Sequence, residues 1–379
     1  MVYVTIPASP REHNISMEDV WFGGDDVKSY VITLNKSNTV TRVFDNVPNT
    51  IRRSTYRCTM QLSMFNDKYK DLIEADKTTL YHSFSIPKSS GGLRRIDAPK
   101  DELMCALREL KTILESNTFG GRSLYHTSAF AYIEHRSTLD CVKKHQQNES
   151  KWFGKFDVHN FFGSTTLEFV MHMFSMIYPF SEIMKTVLGA KALETALSLA
   201  FLNGVLPQGT PLSPMITNIM MIPIDHDMEK ECRSRGLIYS RYADDFLISS
   251  RHGFMFKEVE QVITDTFKKF GAPFELNTRK TRYGSSFGCN WNFGVMLNKD
   301  NQITIGRKKK KQFESMLTAY AKDKKSGVRW PIDDVMHMNG LYAYYKMVED
   351  DVIDRIVAHI SNKNGVNIMA CMKADLRGQ

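Results

Sequence analysis

The chain has 379 residues, a formal net charge of +8, and 42% hydrophobic and 24% charged residues, the proportions of a globular protein with a sizeable core. No apolar run reaches the roughly 18 residues a membrane-spanning helix needs, and the start "MVYVTIPASPREH" lacks a basic-then-apolar leader, so cytoplasmic residence without a membrane partner is expected. Six scattered cysteines (Cys58, Cys105, Cys141, Cys232, Cys289, Cys371) form no CxxC or zinc-like cluster, which speaks against a disulfide scaffold and for reduced thiols.

Residues 1 to about 75 carry no strong motif. TIPASPREHN reads as loop, SYVITL as a short strand and FNDKYKDLIEA as helix. YHSFSIPKSSGGLRRIDAPK then has two β-like arms around a Ser-Ser-Gly-Gly turn, a hairpin pattern. In DELMCALRELKTILES, Leu103, Leu107, Leu110 and Leu114 recur at helical spacing. KWFGKFDVHNFFGSTTLEFVMHMF opens as strand and becomes helix, with Thr165 and Glu168 fitting a T-x-x-E capping box. Helix-like sequence runs on to about Phe201. A Gly/Pro-punctuated loop, NGVLPQGTPLSP, leads into an apolar helix, followed by the hairpin GLIYSRYADDFLISS and the amphipathic helix FKEVEQVITDTFKKF. Ile353, Ile356, Val357 and Ile360 mark a last helical face. Helices mixed with antiparallel strands predict an α+β fold.

Charge is unevenly spread. Between Arg279 and Arg329 there are 13 Lys and Arg against Asp300, Glu314 and Asp323, so the remainder of the chain is slightly acidic. The densest part is Arg307, Lys308, Lys309, Lys310 and Lys311. A basic run is most simply a solvated face; attached to a near-neutral body, it also matches a track for a phosphate backbone.

Three aspartates carry the chemistry. Asp157 ends the β-like KWFGKFD, while Asp244 and Asp245 stand side by side within strand-like sequence. An Asp-Asp pair alone is most simply a polar turn. Carboxylates at the ends of strands about 5 Å apart can, however, share ions. Hard oxygen donors without histidine or thiolate favour Mg²⁺, and two such ions about 4 Å apart stabilise both the attacking and leaving oxygens of a phosphoryl displacement.

Six segments in fixed order strengthen that reading: IPKSSGGLRRI, FDVHNFF, LPQGTPLSP, YADD, LNTRKT and FGVMLNKDNQITIGRKK. Over residues 80 to 345 the chain resembles prokaryotic reverse transcriptases, including retron, group II intron and defence-associated enzymes. The resemblance implies a right-hand polymerase with an N-terminal extension (1–75), fingers and palm (76–300) and a helical thumb (301–379). It implies Asp157, Asp244 and Asp245 as catalytic metal ligands with the Val158 carbonyl, two Mg²⁺ ions (Mn²⁺ able to substitute), and Phe162 as a gate against the ribose 2′-hydroxyl. Asn160 and Phe161 would offer backbone N–H groups to the triphosphate. Lys88 and Arg94 would clamp its phosphates, with Arg95 an alternative to Arg94. Gln208 would lie near nucleotide and template, with Gly209 giving close backbone approach, and Lys280 would face the pyrophosphate. The basic run Arg307–Lys311 would track the template–primer duplex, whereas the tyrosines of MNGLYAYYKMV would pack in the core.

The implied activity is RNA-directed DNA synthesis from dNTPs on a DNA primer, templated by a structured noncoding RNA and serving anti-phage defence. A second copy or an effector protein is a further implied partner. Untemplated or protein-primed synthesis, or an idle RNA-binding scaffold, are the alternatives. Cys141-Val-Lys-Lys-His145 and Asn292-Phe293-Gly294 depart from the retron patterns Asn-Ala-x-x-His and Val-Thr-Gly, which tilts the resemblance towards the defence-associated lineage.

Overall fold

The computed structural model describes residues 49–87, 91–116, 124–286 and 291–378, with three strands before them: Val2–Pro7, Asp19–Trp21 and Val27–Ile32. Strand Val27–Ile32 overlaps the expected SYVITL strand and pairs antiparallel with both others. The expected loop TIPASPREHN begins inside strand Val2–Pro7. The chain forms two units, one built from residues 1–137, 155–248 and 255–281, the other from 138–154, 249–254 and 282–379.

In the first unit, helix Asn49–Lys68 buries Cys58, Leu62 and Phe65, one stripe at 3.6-residue periodicity. It packs against helices Val187–Ser198 and Asp101–Ser116. The latter buries Leu103, Ala106, Leu107, Leu110 and Leu114, the expected face. Strands Tyr81–Pro87 and Leu93–Pro99 form the first hairpin. Its turn includes Gly91 and Gly92, both at positive φ, which a residue with a Cβ adopts only under strain.

The aspartate hairpin joins Ile238–Tyr242 to Asp245–Ser250, and the second of these strands lies between the first and strand Trp152–Asp157. Helices Ser213–Met220 and Ile222–Ser234 bury Met215, Ile216, Ile219, Ile224 and Met228. Helix Phe256–Lys269 adds Val259, Ile263 and Phe267. An aromatic cluster links Phe246, Phe267 and Phe274 to Phe161 and Phe169.

One expectation shifts by a residue. Helix Leu167–Phe174 is capped by Thr166, whose hydroxyl accepts from the Phe169 N–H at 3.2 Å. Thr165 is buried and donates to the Phe161 carbonyl at 2.8 Å, so it holds the preceding turn instead.

In the second unit, strands Trp291–Asn292, Val295–Leu297 and Ile303–Thr304 form an antiparallel sheet. Helices Arg307–Lys325, Ile332–Val348, Asp350–Asn364 and Ile368–Leu376 follow. Their core joins Phe313, Leu317, Tyr320, Val335, Met338, Tyr345, Ile353, Val357 and Ile360. Tyr345 is buried there, and Tyr342 and Tyr344 pack against it, as expected of side chains that serve packing. His145, on helix Thr138–Gln147, is fully buried and shares a 2.6 Å hydrogen bond with Ser249, which in turn bonds Ser150. Burial lowers its pKa to about 3, so it is neutral.

The architecture is α+β, as the sequence predicts. Among the described residues no helix is long and apolar enough to cross a membrane. Cys58, Cys105, Cys141, Cys232 and Cys371 form no disulfide.

Candidate active site

Strand Trp152–Asp157 delivers Asp157 to the turn of the aspartate hairpin. The Val158 N–H donates to the Asp244 carbonyl at 3.0 Å, so residues 157–158 and 244–245 are backbone neighbours although 87 positions separate Asp157 from Asp244. From the other side, the Asn277 N–H donates to the Asp157 carbonyl at 2.7 Å and the His159 N–H to the Glu275 carbonyl at 2.8 Å. That segment carries Lys280, whose Nζ bonds both carboxylate oxygens of Asp157 at 2.9 and 3.2 Å.

The electrostatics are those of crowded acids. Burial raises the Asp244 carboxyl, and the neighbouring Asp157 charge raises it further. Burial pushes Asp245 up to about 6 against the opposing pull of Lys155, whose Nζ sits 2.9 Å from its Oδ2. The other oxygen of Asp245, Oδ1, is buried without a hydrogen-bond partner. Lys280 is raised by its bond to Asp157 and is protonated at neutral pH. Among the described residues no three His, Cys, Asp or Glu side chains already stand in metal-ligating geometry. Asp157 and Asp245 are turned onto lysines. The donor set nevertheless fits a hard divalent cation: carboxylates only, one buried oxygen lacking a partner, and like charges held side by side.

A buried network shapes the turn. Arg241 is fully buried, with Nε and Nη2 bonding the two oxygens of Asp225 at 2.8 and 2.7 Å. Its Nη1 donates to Asn218 Oδ1 and to the Ala243 carbonyl, each at 3.1 Å, and Tyr239 donates to Asp225 at 2.7 Å. Ala243 stands at φ 57°, a left-handed conformation that is uncommon outside glycine and costs on the order of 1–3 kcal/mol. The arginine grips the carbonyl of that residue directly before the aspartate pair.

The first hairpin reaches the same region. Its Asp97 N–H donates to the Gln208 carbonyl at 2.8 Å. Gly209 has φ +115°, and a Cβ on it would meet Ile96 Cγ2 at 2.8 Å. The close approach that needs this glycine is therefore made to the hairpin itself. The register also separates two adjacent arginines. Arg94 pairs with Ile86 and shares a face with Ile96. Arg95 points the other way, onto Asp97 at 2.8 Å and Ser83 at 3.2 Å. Lys88 lies outside the described residues. Gln208 is half-buried. Its loop is locked by Ser213, which donates to the Pro207 carbonyl at 2.9 Å and shares a 2.6 Å bond with Thr210.

The pair Phe161-Phe162 divides its labour. Phe161 is buried against Phe274, while Phe162 is half-buried and meets Phe161 edge-on at 5.7 Å. Asn160 is exposed at φ 48°, its side chain folded over Gly163.

The basic run opens helix Arg307–Lys325, and its five cations do not act alike. Lys309 donates to the Gly294 carbonyl at 2.6 Å, and Lys310 pairs with Glu349 at 2.5 Å. Glu349 also accepts from Thr304 and Ile305. Arg307, Lys308 and Lys311 are exposed, and Lys322 and Lys325 continue that side of the helix. Sequence reasoning missed Lys155 and Arg241. Both lie within strand patterns and carry no motif of their own.

Comparison with known proteins adds a family. Residues 86–317 match the family described as Reverse transcriptase (RNA-dependent DNA polymerase). The Retron Ec83 reverse transcriptase of Escherichia coli is 28% identical over 289 residues, 75% of this chain and 88% of that protein. The Retron Ec73 reverse transcriptase of Escherichia coli is 24% identical over 271 residues, 70% and 82% of the two chains. Apo telomerase from Candida tropicalis is similar at 15% identity with a TM-score of 0.41, over 57% of this chain and 46% of that one. The family match, with mixed helices and antiparallel sheets, bears out the polymerase fold class. The matched relatives are retron enzymes, despite the departures at Cys141–His145 and Asn292–Gly294.

Proposed function

The chain belongs to the reverse transcriptase family, and from that premise we propose that it extends a DNA primer with dNTPs on an RNA template, using Asp157, Asp244 and Asp245 as its catalytic carboxylates. The observation that carries this reading is the backbone bond that ties Val158 to Asp244 and brings three acids from distant stretches together. Magnesium ions, when bound, supply Lewis-acid stabilisation of the attacking primer oxygen and of the triphosphate. Asp157, Asp244 and Asp245 would hold them, with the orphaned Oδ1 of Asp245 a ready donor.

The chain's own groups do the rest. Lys280 pairs with the Asp157 carboxylate and, being protonated, has a proton to offer a leaving pyrophosphate. Lys155 compensates the charge of Asp245. Arg94, on the face shared with Ile96, is the cation set to meet phosphates, and Arg95 is committed to Asp97. Phe162 limits the space at the sugar. Positioning and charge compensation account for most of the catalysis such a site can offer. The exposed cations of helix Arg307–Lys325 follow the duplex by its phosphates. The template in this reading is a structured noncoding RNA and the biological role is anti-phage defence; sequencing nucleic acid that co-purifies with the chain tests the first, and phage plating on cells with and without it tests the second.

The decisive experiment is Asp244→Asn. Single-nucleotide extension on an RNA template should fall about 10²–10³-fold, the scale of losing a principal electrostatic group, while template–primer affinity by anisotropy changes less than about threefold. Undiminished extension would refute the assignment.

A further inference from the structure

Segment 128–133 holds an exposed tyrosine in an otherwise sealed stretch. Ser128, Ala129, Phe130, Ala131 and Ile133 are all buried; Tyr132 is 61% exposed. The backbone on either side is pinned. The Arg241 N–H donates to the Ser128 carbonyl at 2.7 Å, the Phe130 N–H to the Arg241 carbonyl at 2.9 Å, and Asn218 Nδ2 to the Ala131 carbonyl at 2.8 Å. Arg136 donates to the carbonyls of His126 and Ala129 at 2.6 and 2.7 Å. Two of these anchors, Arg241 and Asn218, belong to the network that shapes the aspartate turn.

Tyr132 itself has φ 59°, a left-handed conformation that is an outlier for a bulky side chain. Strain of this kind persists where the surroundings over-determine it, and such places cluster at ligand sites. The side chain is not there to fill the core, since it faces outward. Its hydroxyl lies within electrostatic reach of both Asp244 and Arg94. An exposed aromatic ring thus stands on backbone tied to the aspartate turn, within electrostatic reach of the cation set to meet phosphates.

We propose that Tyr132 is a nucleotide-contacting residue whose ring packs against the incoming dNTP as it lies between Arg94 and Asp244. This rests on the polymerase reading above. A nucleotide whose triphosphate reaches from Arg94 to the ions held at Asp244 would bring its sugar and base beside the ring. Aromatic packing against a nucleotide tolerates every base, because each presents a π-face, so the contact supports affinity without choosing sequence.

The test is Tyr132→Ala beside Tyr132→Phe and Tyr132→Trp in the full chain. On an RNA template–DNA primer, Tyr132→Ala should raise KM for each of the four dNTPs about tenfold and leave kcat within about threefold. The Phe and Trp variants should restore most of the loss. Template–primer affinity and the melting temperature should stay at the wild-type values. An unchanged KM, or a loss that appears only in template–primer affinity or in melting, would overturn the proposal. Retention of dNTP on a dideoxy-terminated primer reads the same contact without chemistry: Tyr132→Ala should retain dNTP about tenfold less tightly, and equal retention would refute the contact. Failure of the wild-type chain to extend a primer would instead strike at the polymerase reading.

Discussion

Two adjacent phenylalanines illustrate how much a single position decides. Phe161 is fixed in the aromatic cluster with Phe274, so Phe161→Ala should cost about 3–5 kcal/mol, as truncation of a buried ring does. Phe162 stands half-clear on the following turn. Phe162→Ala should leave folding nearly intact and raise kcat/KM for NTPs relative to dNTPs by on the order of tenfold or more, the scale for filling or emptying a small apolar space. Extension assays with matched NTP and dNTP series, beside urea denaturation, separate the two outcomes. The letters FF do not distinguish these rings. Which of them faces inward depends on Phe274, which follows by more than a hundred positions. The same limit applies to Thr165 and Thr166: both can cap, and only the turn set by the Phe161 carbonyl selects the second.

Elements whose signal is periodic were legible. The Leu103–Leu114 stripe, the Gly-Gly hairpin and the Ile353–Ile360 face all stand as their spacing predicts, because burial repeats at 3.6 residues in a helix and turns demand glycine. Buried polar networks were not legible, since their partners come from separate elements. Arg241 on a strand meets Asp225 and Asn218 on two helices. Arg241→Met should cost about 3–5 kcal/mol because it strands the Asp225 charge in the interior. Adding Asp225→Leu should recover much of that, measured by urea denaturation. The Ala243 carbonyl would still have lost its donor in the double variant, so extension activity should recover less than stability. His145 makes a second test. Its folded pKa of about 3 lies below the unfolded value near 6.5, so the unfolded chain binds the proton more readily. Stability should therefore fall as pH drops below about 6.5, by roughly 1.4 kcal/mol per unit from this group, until about pH 3. A His145→Gln variant should show a shallower decline by that amount between pH 6 and 4.5.

Over the whole chain, charge is partitioned by sequence and then again by folding. The segment Arg279–Arg329 holds more than the entire net charge, and that much was plain from composition. Which cations remain available was not, because Lys309 and Lys310 are taken by Gly294 and Glu349, 15 and 39 positions away. Lys308→Ala and Lys311→Ala should each lower the slope of log affinity against log salt by about 0.9 for duplex binding. Lys310→Ala should leave that slope almost unchanged and lower the unfolding midpoint, because Glu349 loses its counter-charge. Anisotropy titrations from 50 to 300 mM salt, paired with denaturation, check both. A last consequence concerns recombination with homologous enzymes. The hydrogen of Gly209 is the clearance that lets Ile96 seat, and the Gln208 carbonyl is stitched to Asp97. Residues 81–99 and 207–213 therefore form one heritable cassette: a chimera that imports either segment alone inherits a mismatched joint, whereas importing both together preserves the seam.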